Sequence, residues 1–321
     1  MRVAVIGAGA IGGVYGGVLA RAGHQVGFLA RGDHLRAIQS RGLTVESPTF
    51  GSFVVHATAS DKPAELGRAE LVLFTVKTYD LDQAAPAARQ LLAEDGRLVT
   101  FQNGLEAPDQ VAAVVGEQPV LIGTTGIEAT IREPGVVAHM SAWHYVTVSA
   151  LHGPPTPRVE HIAQVMREAG INASVAADGR RALWEKAWML IPMATITTVC
   201  QAPIGPIRDL AETRRLLNTL LDEVGAVAAA CGYDLAEARE RARGLVQNAP
   251  PNMKASMARD FEKGGRTELE ALTGALVRLA EARGVEVPAA RTAYAILKLR
   301  QQSLDARAAA EKPLRIGAVG R

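Results

Sequence analysis

Hydrophobic residues open the chain without interruption through Val3-Ala4-Val5-Ile6. They break at Gly7-Ala8-Gly9-Ala10-Ile11-Gly12 and resume with helical spacing as far as Ala22. This pattern predicts a strand, a tight turn and an amphipathic helix stopped by Gly23. A second strand is expected over residues 25–29, and Asp33 is a candidate cap for the helix after it. Residues 43–55 read as a hairpin with Pro48 and Gly51 at its turn. The unbroken apolar run 71–76 has the character of a strand buried on both faces of a parallel sheet. It ends in Lys77-Thr78-Tyr79-Asp80 and is followed by a helical stretch, 81–92. Another strand, 97–101, ends in Gln102-Asn103-Gly104-Leu105, and one more is expected at 121–125. Residues 131–150 alternate, with Pro134-Gly135 as a turn, which predicts antiparallel strands closing the sheet. A helix at 159–169 and a strand at 172–176 complete this half of the chain.

Beyond Asp178 the strand signal disappears. Helical patterns start at Arg181, Ala211, Asp234, Thr267 and Arg291, separated by Gly and Pro. The fold class expected is therefore α/β, a Rossmann-type domain over residues 1–178, followed by an all-α domain over 179–321. The tail from 307 to 321 is expected to be loosely ordered. Two domains also suit the length of 321 residues, because single cores stop growing at about 250–300 residues.

Composition narrows the function classes. The net charge of +2 comes from interspersed acidic and basic residues, without a basic block, which argues against a nucleic-acid partner. The cysteines, Cys200 and Cys231, have no metal-ligand spacing and form no disulfide framework, as in a reducing compartment. The longest apolar run, 187–200, is too short to span a bilayer, and the residues after Met1 already read as a strand. A soluble, cytoplasmic protein is the expectation.

The turn after the first strand has the spacing G-x-G-x-x-G. Gly7 would permit the turn, Gly9 would admit a pyrophosphate close to the backbone, and Gly12 would let helix and strand pack closely. The phosphates would meet the helix N-terminus at Ala10 and Ile11, where unpaired amides and the dipole favour an anion. At the end of the second strand, an acidic residue would bind the ribose hydroxyls of NAD and an arginine would accommodate the 2′-phosphate of NADP. Arg31 stands there and favours NADP, while Asp33 keeps NAD open. Lys77 and Asn103 follow strand ends, where ligands of open α/β sheets bind; each also has an ordinary reading as a loop or capping residue. His139 and His144 lack a partner ligand at a recognised spacing and read as strand-borne polar residues, and no metal site is expected. In the second half, Lys186 stands at the edge of an apolar stretch flanked by Trp184 and Trp188, an environment that disfavours its ammonium form. It is a candidate general acid or, equally, a lysine whose stem covers the tryptophans. Ser256, Asp260, Glu268 and Glu270 flank Gly264-Gly265, and Thr267 with Glu270 also reads as a capping box.

These motifs together resemble the ketopantoate reductase (2-dehydropantoate 2-reductase) family over nearly the whole chain. The resemblance rests on Gly7-x-Gly9-x-x-Gly12, Arg31-Gly32, Val76-Lys77, Gln102-Asn103-Gly104, Pro134-Gly135-x-x-x-His139, Trp184-x-Lys186, Ser256-Met257-x-x-Asp260 and Thr267-Glu268. It implies NADPH-dependent reduction of a 2-oxo acid, and a helical second domain like the C-terminal domain of 6-phosphogluconate dehydrogenase. It implies that Lys186 is the general acid, that Glu268 supports it, that Ser256 holds the substrate carboxylate, and that Lys77 and Asn103 lie beside nicotinamide and substrate. It makes pantothenate biosynthesis the expected setting, and a homodimer compatible but not required. The family's substrate-contacting asparagines four and eight residues after the lysine are replaced by Leu190 and Ala194, and a further one by Ile204. These replacements point to a more apolar 2-oxo or β-keto acid as an alternative substrate. A nucleotide-binding sensor without catalysis is the rival reading, opposed by the joint presence of Lys77, Asn103, Lys186, Ser256 and Glu268.

Overall fold

A computed structural model describes residues 1–310. The chain divides into two compact units, Met1–Trp184 and the residues from Glu185 onward. Of the tail expected to be loosely ordered, residues 307–310 continue the last helix, and 311–321 lie outside the described residues.

The first unit contains the strands β1 (Arg2–Ile6), β2 (Gln25–Leu29), β3 (Leu43–Glu46), β4 (Phe53–Val55), β5 (Thr58–Ser60), β6 (Ala69–Phe74), β7 (Leu92–Thr100), β8 (Val120–Gly126), β9 (Ala129–Glu133), β10 (Val136–His139), β11 (Tyr145–Ala150) and β12 (Ala173–Val175). Its helices are α1 (Ala10–Arg21), α2 (Gly32–Arg41), α3 (Leu81–Leu91), α4 (Ala107–Val115) and α5 (Pro157–Glu168). The main sheet has the order β12-β11-β8-β7-β6-β1-β2-β5. From β8 to β5 its neighbours pair in parallel, in register such as Val5↔Phe28 and Val5↔Leu73. The chain moves outward from β1 through β2 to β5 on one side and through β6 and β7 to β8 on the other. The strand order therefore reverses between β1 and β6, the point at which open α/β sheets bind ligands.

Residues 131–150 depart from the expected arrangement. Only β11 joins the main sheet, antiparallel to β8. β9 and β10 instead belong to a second sheet, β4-β3-β10-β9, in which β10 runs parallel to β3 with Val136 opposite Thr44. Alternation marks a strand without naming its partner, and this partner lies far back in the chain. The predicted hairpin of residues 43–55 supplies the other pair, β3 and β4.

The second sheet also explains α1. This helix is buried from Gly12 through Leu19 rather than amphipathic. A Cβ at Gly16 would stand 2.7 Å from Val5 Cγ2 on the main sheet; at Gly13 it would stand 2.7 Å from Val137 Cγ1, and at Gly17 2.6 Å from Val45 Cγ2, both on the second sheet. Glycine pairs one turn apart thus let α1 lie close against both layers. Glycine within a helix costs about 1 kcal/mol relative to alanine, and the buried contacts on both faces offset it. Asp33 lies inside the first turn of α2 rather than capping it, and is paired with Arg36.

The second unit holds α6 from Glu185 on (the helix spans Gly179–Cys200), α7 (Ile204–Asp209), α8 (Ala211–Ala230), α9 (Ala236–Asn248), α10 (Ser256–Glu262), α11 (Ala275–Arg283) and α12 (Pro288–Ala310). Just before α11, Glu270–Gly274 form a π-helical turn. Ala187, Trp188, Ile191 and Ile196 of α6 are buried, and Gly225 of α8 makes room for the indole of Trp188. The buried carboxylate of Glu223 accepts the amides of Ala289 and Ala290, both at 2.8 Å, and so caps α12. The expected Thr267–Glu270 capping box is not formed. Thr267 donates to Gln301 Oε1 at 2.8 Å, and the Glu270 carboxylate is engaged by Tyr294 and Arg278.

Candidate active site

β1 delivers the glycine turn to the point where the strand order reverses. Gly7 has φ +94°, and a Cβ there would lie 2.8 Å from the Val76 amide. A Cβ at Gly12 would lie 2.7 Å from Val5 Cγ1 and would also strike the Gly7 carbonyl and the Thr75 hydroxyl. The fold itself therefore demands both glycines. Gly9 is different: its φ is −71° and a Cβ would meet nothing within 4 Å. No neighbour within the protein requires glycine there, so the open space beside it fits a group that must approach the main chain, such as a pyrophosphate. Gly9 caps α1 without a side-chain hydrogen bond, and the first turn, with Ala10, Ile11 and Gly12, has no acidic residue. Its amides lack intrahelical acceptors and suit an anion. Thr75 fastens the turn from β6, donating to the carbonyls of Gly7 at 2.7 Å and Ile6 at 3.0 Å.

Arg31 lies just beyond β2, at the N-cap of α2. Its exposed guanidinium donates to Asp80 Oδ2 at 2.6 Å, joining the end of β2 to the loop after β6. Lys77 opens that loop and Asn103 follows β7; both are half-buried. The ends of these strands are tied by Gln102, a buried side chain whose Nε2 donates to the carbonyls of Phe74 at 2.8 Å and Val76 at 3.0 Å. Thr75 was not singled out from sequence, and Gln102 was named only within the Gln102-Asn103-Gly104 motif, without a role of its own. The available signal was a polar residue within or next to a buried strand end, beside a candidate ligand-binding residue.

In the second unit the structure brings Lys186 and Glu268 together. Burial lowers the Lys186 pKa to about 8, and the Glu268 carboxylate acts in the opposite direction. Glu268 is itself buried, just before the π-helical turn. That turn is fastened to α6 by the hydroxyls of Thr195 and Thr273, 2.8 Å apart and fully buried. Single π-turns of this kind are frequent at functional sites. Ser256 is the first residue of α10 and half-buried. Of the positions where amides were expected, Ala194 and Ile204 are fully buried, whereas Leu190, one turn along α6 from Lys186, is partly exposed.

His139 ends β10 and His144 precedes β11; both are buried and hydrogen-bonded to protein. His139 lies between Ser47 and Ser141, and His144 Nε2 accepts the Asn172 amide at 2.9 Å. Among the described residues no group of three or more His, Cys, Asp or Glu is placed to hold a metal ion. No described helix is long and apolar enough to cross a membrane.

Comparison with known proteins places this geometry in a family. The family model described as ketopantoate reductase PanE/ApbA matches residues 3–153, and its C-terminal counterpart matches residues 178–301. A 2-dehydropantoate 2-reductase of Halobacterium salinarum is 34% identical over 306 residues, covering 94% of this chain and 99% of that protein. The crystal structure of a PanE/ApbA family ketopantoate reductase from Ralstonia eutropha superimposes with a TM-score of 0.87 at 31% identity, over 95% of this chain and 100% of the other. That of a 2-dehydropantoate 2-reductase from Methylococcus capsulatus gives 0.86 at 27% identity, over 95% and 98%. With its Rossmann-type unit, its helical unit and these matches along nearly all its length, the chain belongs to the ketopantoate reductase family of oxidoreductases.

Proposed function

We propose that this protein reduces a 2-oxo acid to the 2-hydroxy acid with NADPH, and that 2-dehydropantoate, giving pantoate, is the first substrate to test. The observation that carries the reading is the coupling of Lys186, its pKa lowered to about 8, to the buried carboxylate of Glu268. A nicotinamide dinucleotide, the cofactor class of the family, supplies a hydride when bound. Reduction of the substrate carbonyl builds negative charge on its oxygen, and the Lys186 ammonium stabilises that charge and donates the proton. Glu268 keeps a buried amine protonated near neutral pH. Ser256 is assigned to the substrate carboxylate, and Lys77 and Asn103 to the nicotinamide and substrate. Gly7, Gly9, Ala10, Ile11 and Gly12 would hold the pyrophosphate. Arg31, an exposed cation at the end of β2, would meet the 2′-phosphate, exchanging Asp80 for a dianion.

Leu190 favours a second reading of the substrate. It presents partly exposed apolar surface one turn from Lys186, where an amide would otherwise hydrogen-bond a polar substrate. Sites built on such bonds discriminate strongly, and their loss favours a more apolar 2-oxo or β-keto acid. Steady-state oxidation of NADPH and of NADH against ketopantoate and a panel of apolar 2-oxo acids distinguishes these readings. Turnover with ketopantoate is the expected result, and preference for an apolar acid selects the alternative. Tight NADPH binding without turnover of any 2-oxo acid would leave a nucleotide sensor.

A further inference from the structure

The Pro134-Gly135 turn stands out in the sequence yet takes no part in the chemistry above. It connects β9 to β10 of the second sheet and docks against α2. Gly135 has φ +82°, and a Cβ there would lie 2.8 Å from the Cβ of Ala37. The Gly135 amide donates to His34 Nδ1 at 3.0 Å. On the other edge of the same imidazole, His34 Nε2 lies 2.7 Å from the Ala8 carbonyl, inside the glycine turn. A backbone amide only donates and a carbonyl only accepts, so these partners fix the ring as the neutral Nε2–H tautomer.

The bond to Ala8 acts beyond Ala8. In a planar trans peptide, the Gly9 N–H points opposite to the Ala8 C=O. Holding the carbonyl on His34 therefore sets the direction of the Gly9 amide, at the residue whose open side suits a pyrophosphate. We propose that His34 is a positioning residue for dinucleotide binding, orienting the Ala8–Gly9 peptide and anchoring it through Gly135 to the second sheet. This inference rests on the reading of the glycine turn as the cofactor site.

The surroundings leave the imidazole to its backbone partners. On α2, Asp33 is paired with Arg36, and Arg41 with Glu133 beside the turn at 3.6 Å. Arg31 is paired with Asp80 at 2.6 Å. Burial lowers the His34 pKa, in keeping with a neutral ring.

The pyrophosphate is common to NADH and NADPH, which separates this role from that of Arg31. In His34→Leu the dissociation constants of NADPH and NADH should rise by a similar factor, about tenfold for the loss of one well-placed hydrogen bond. The turnover number at saturating cofactor should be unchanged. His34→Gln carries both an acceptor and a donor and should recover most of the affinity. A 15N-resolved NMR spectrum of the wild-type imidazole should show Nε2 protonated and Nδ1 bare, a readout that does not depend on how the variants fold. Wild-type affinity in His34→Leu, loss confined to NADPH, a Gln variant no better than Leu, or an Nδ1-protonated ring would each overturn the proposal. Failure of the wild-type protein to bind either dinucleotide would instead remove the cofactor reading on which it rests.

Discussion

Lys186 is subject to opposed influences, burial that favours its neutral amine and the Glu268 carboxylate that favours its ammonium. If the ammonium donates the proton, reduction should proceed at full rate below about pH 8 and fall roughly tenfold per unit above it. The reverse oxidation, which needs the neutral amine, should rise through the same pKa; turnover against pH in both directions measures this. Lys186→Met should lower turnover by about 10²–10⁴-fold. It leaves the buried Glu268 carboxylate without its cation, so the melting temperature should fall as well. Unchanged turnover in this variant would remove the general-acid assignment. For Arg31→Ala, we expect KM to rise far more for NADPH than for NADH; an equal rise would place the 2′-phosphate elsewhere. Lys186 and Arg31 drew attention from their local setting, but the roles of Thr75, Gln102 and Thr195 did not, because each acts through a partner remote in sequence.

At the scale of elements, α1 shows how a local pattern and a packed structure diverge. Alanine usually stabilises a helix relative to glycine by about 1 kcal/mol. Gly13→Ala should nevertheless be destabilising, because its Cβ would meet Val137 Cγ1 at 2.7 Å and overpacking costs about 1–3 kcal/mol. Gly244→Ala, within α9 where a Cβ meets nothing within 4 Å, should show the ordinary gain. Gly9→Ala should scarcely alter the melting temperature while weakening dinucleotide binding. Thermal denaturation of these variants, with cofactor titration of the last, checks all of them. The short predicted strands and the change to helices after Asp178 were legible from periodicity. The second sheet was not, because its strands β3 and β10 are separated by most of the first unit.

Across the whole molecule, acid should be more damaging than the net charge of +2 suggests. Burial lowers the pKa of His24, His34 and His144, with His139 adding to the effect at His144. Between the folded values and the unfolded value of 6.5, the unfolded chain binds more protons. Stability is therefore full above pH 6.5 and declines as pH falls through the folded pKa values. The melting temperature should drop as pH falls below 6.5, and His144→Gln, which cannot take up a proton, should reduce the slope. An unchanged slope in that variant would show that protonation of His144 contributes little.

Sequence alone determined the class of fold and the family, and marked the opening turn as a candidate dinucleotide site. Each is written in short-range terms: an apolar run, glycines at fixed spacing, and a change from strand to helix periodicity. The tertiary structure decided which glycines serve packing and which faces open space, the division of the strands between two sheets, and the hydroxyl and imidazole contacts that hold the loops. These depend on which distant segments meet, and local patterning carries no information about register between them. Gly7 and Gly12 are demanded by contacts with Val76, Val5 and Thr75. Only the packed chain shows that Gly9 has no such neighbour, and that His34 reaches the peptide beside it.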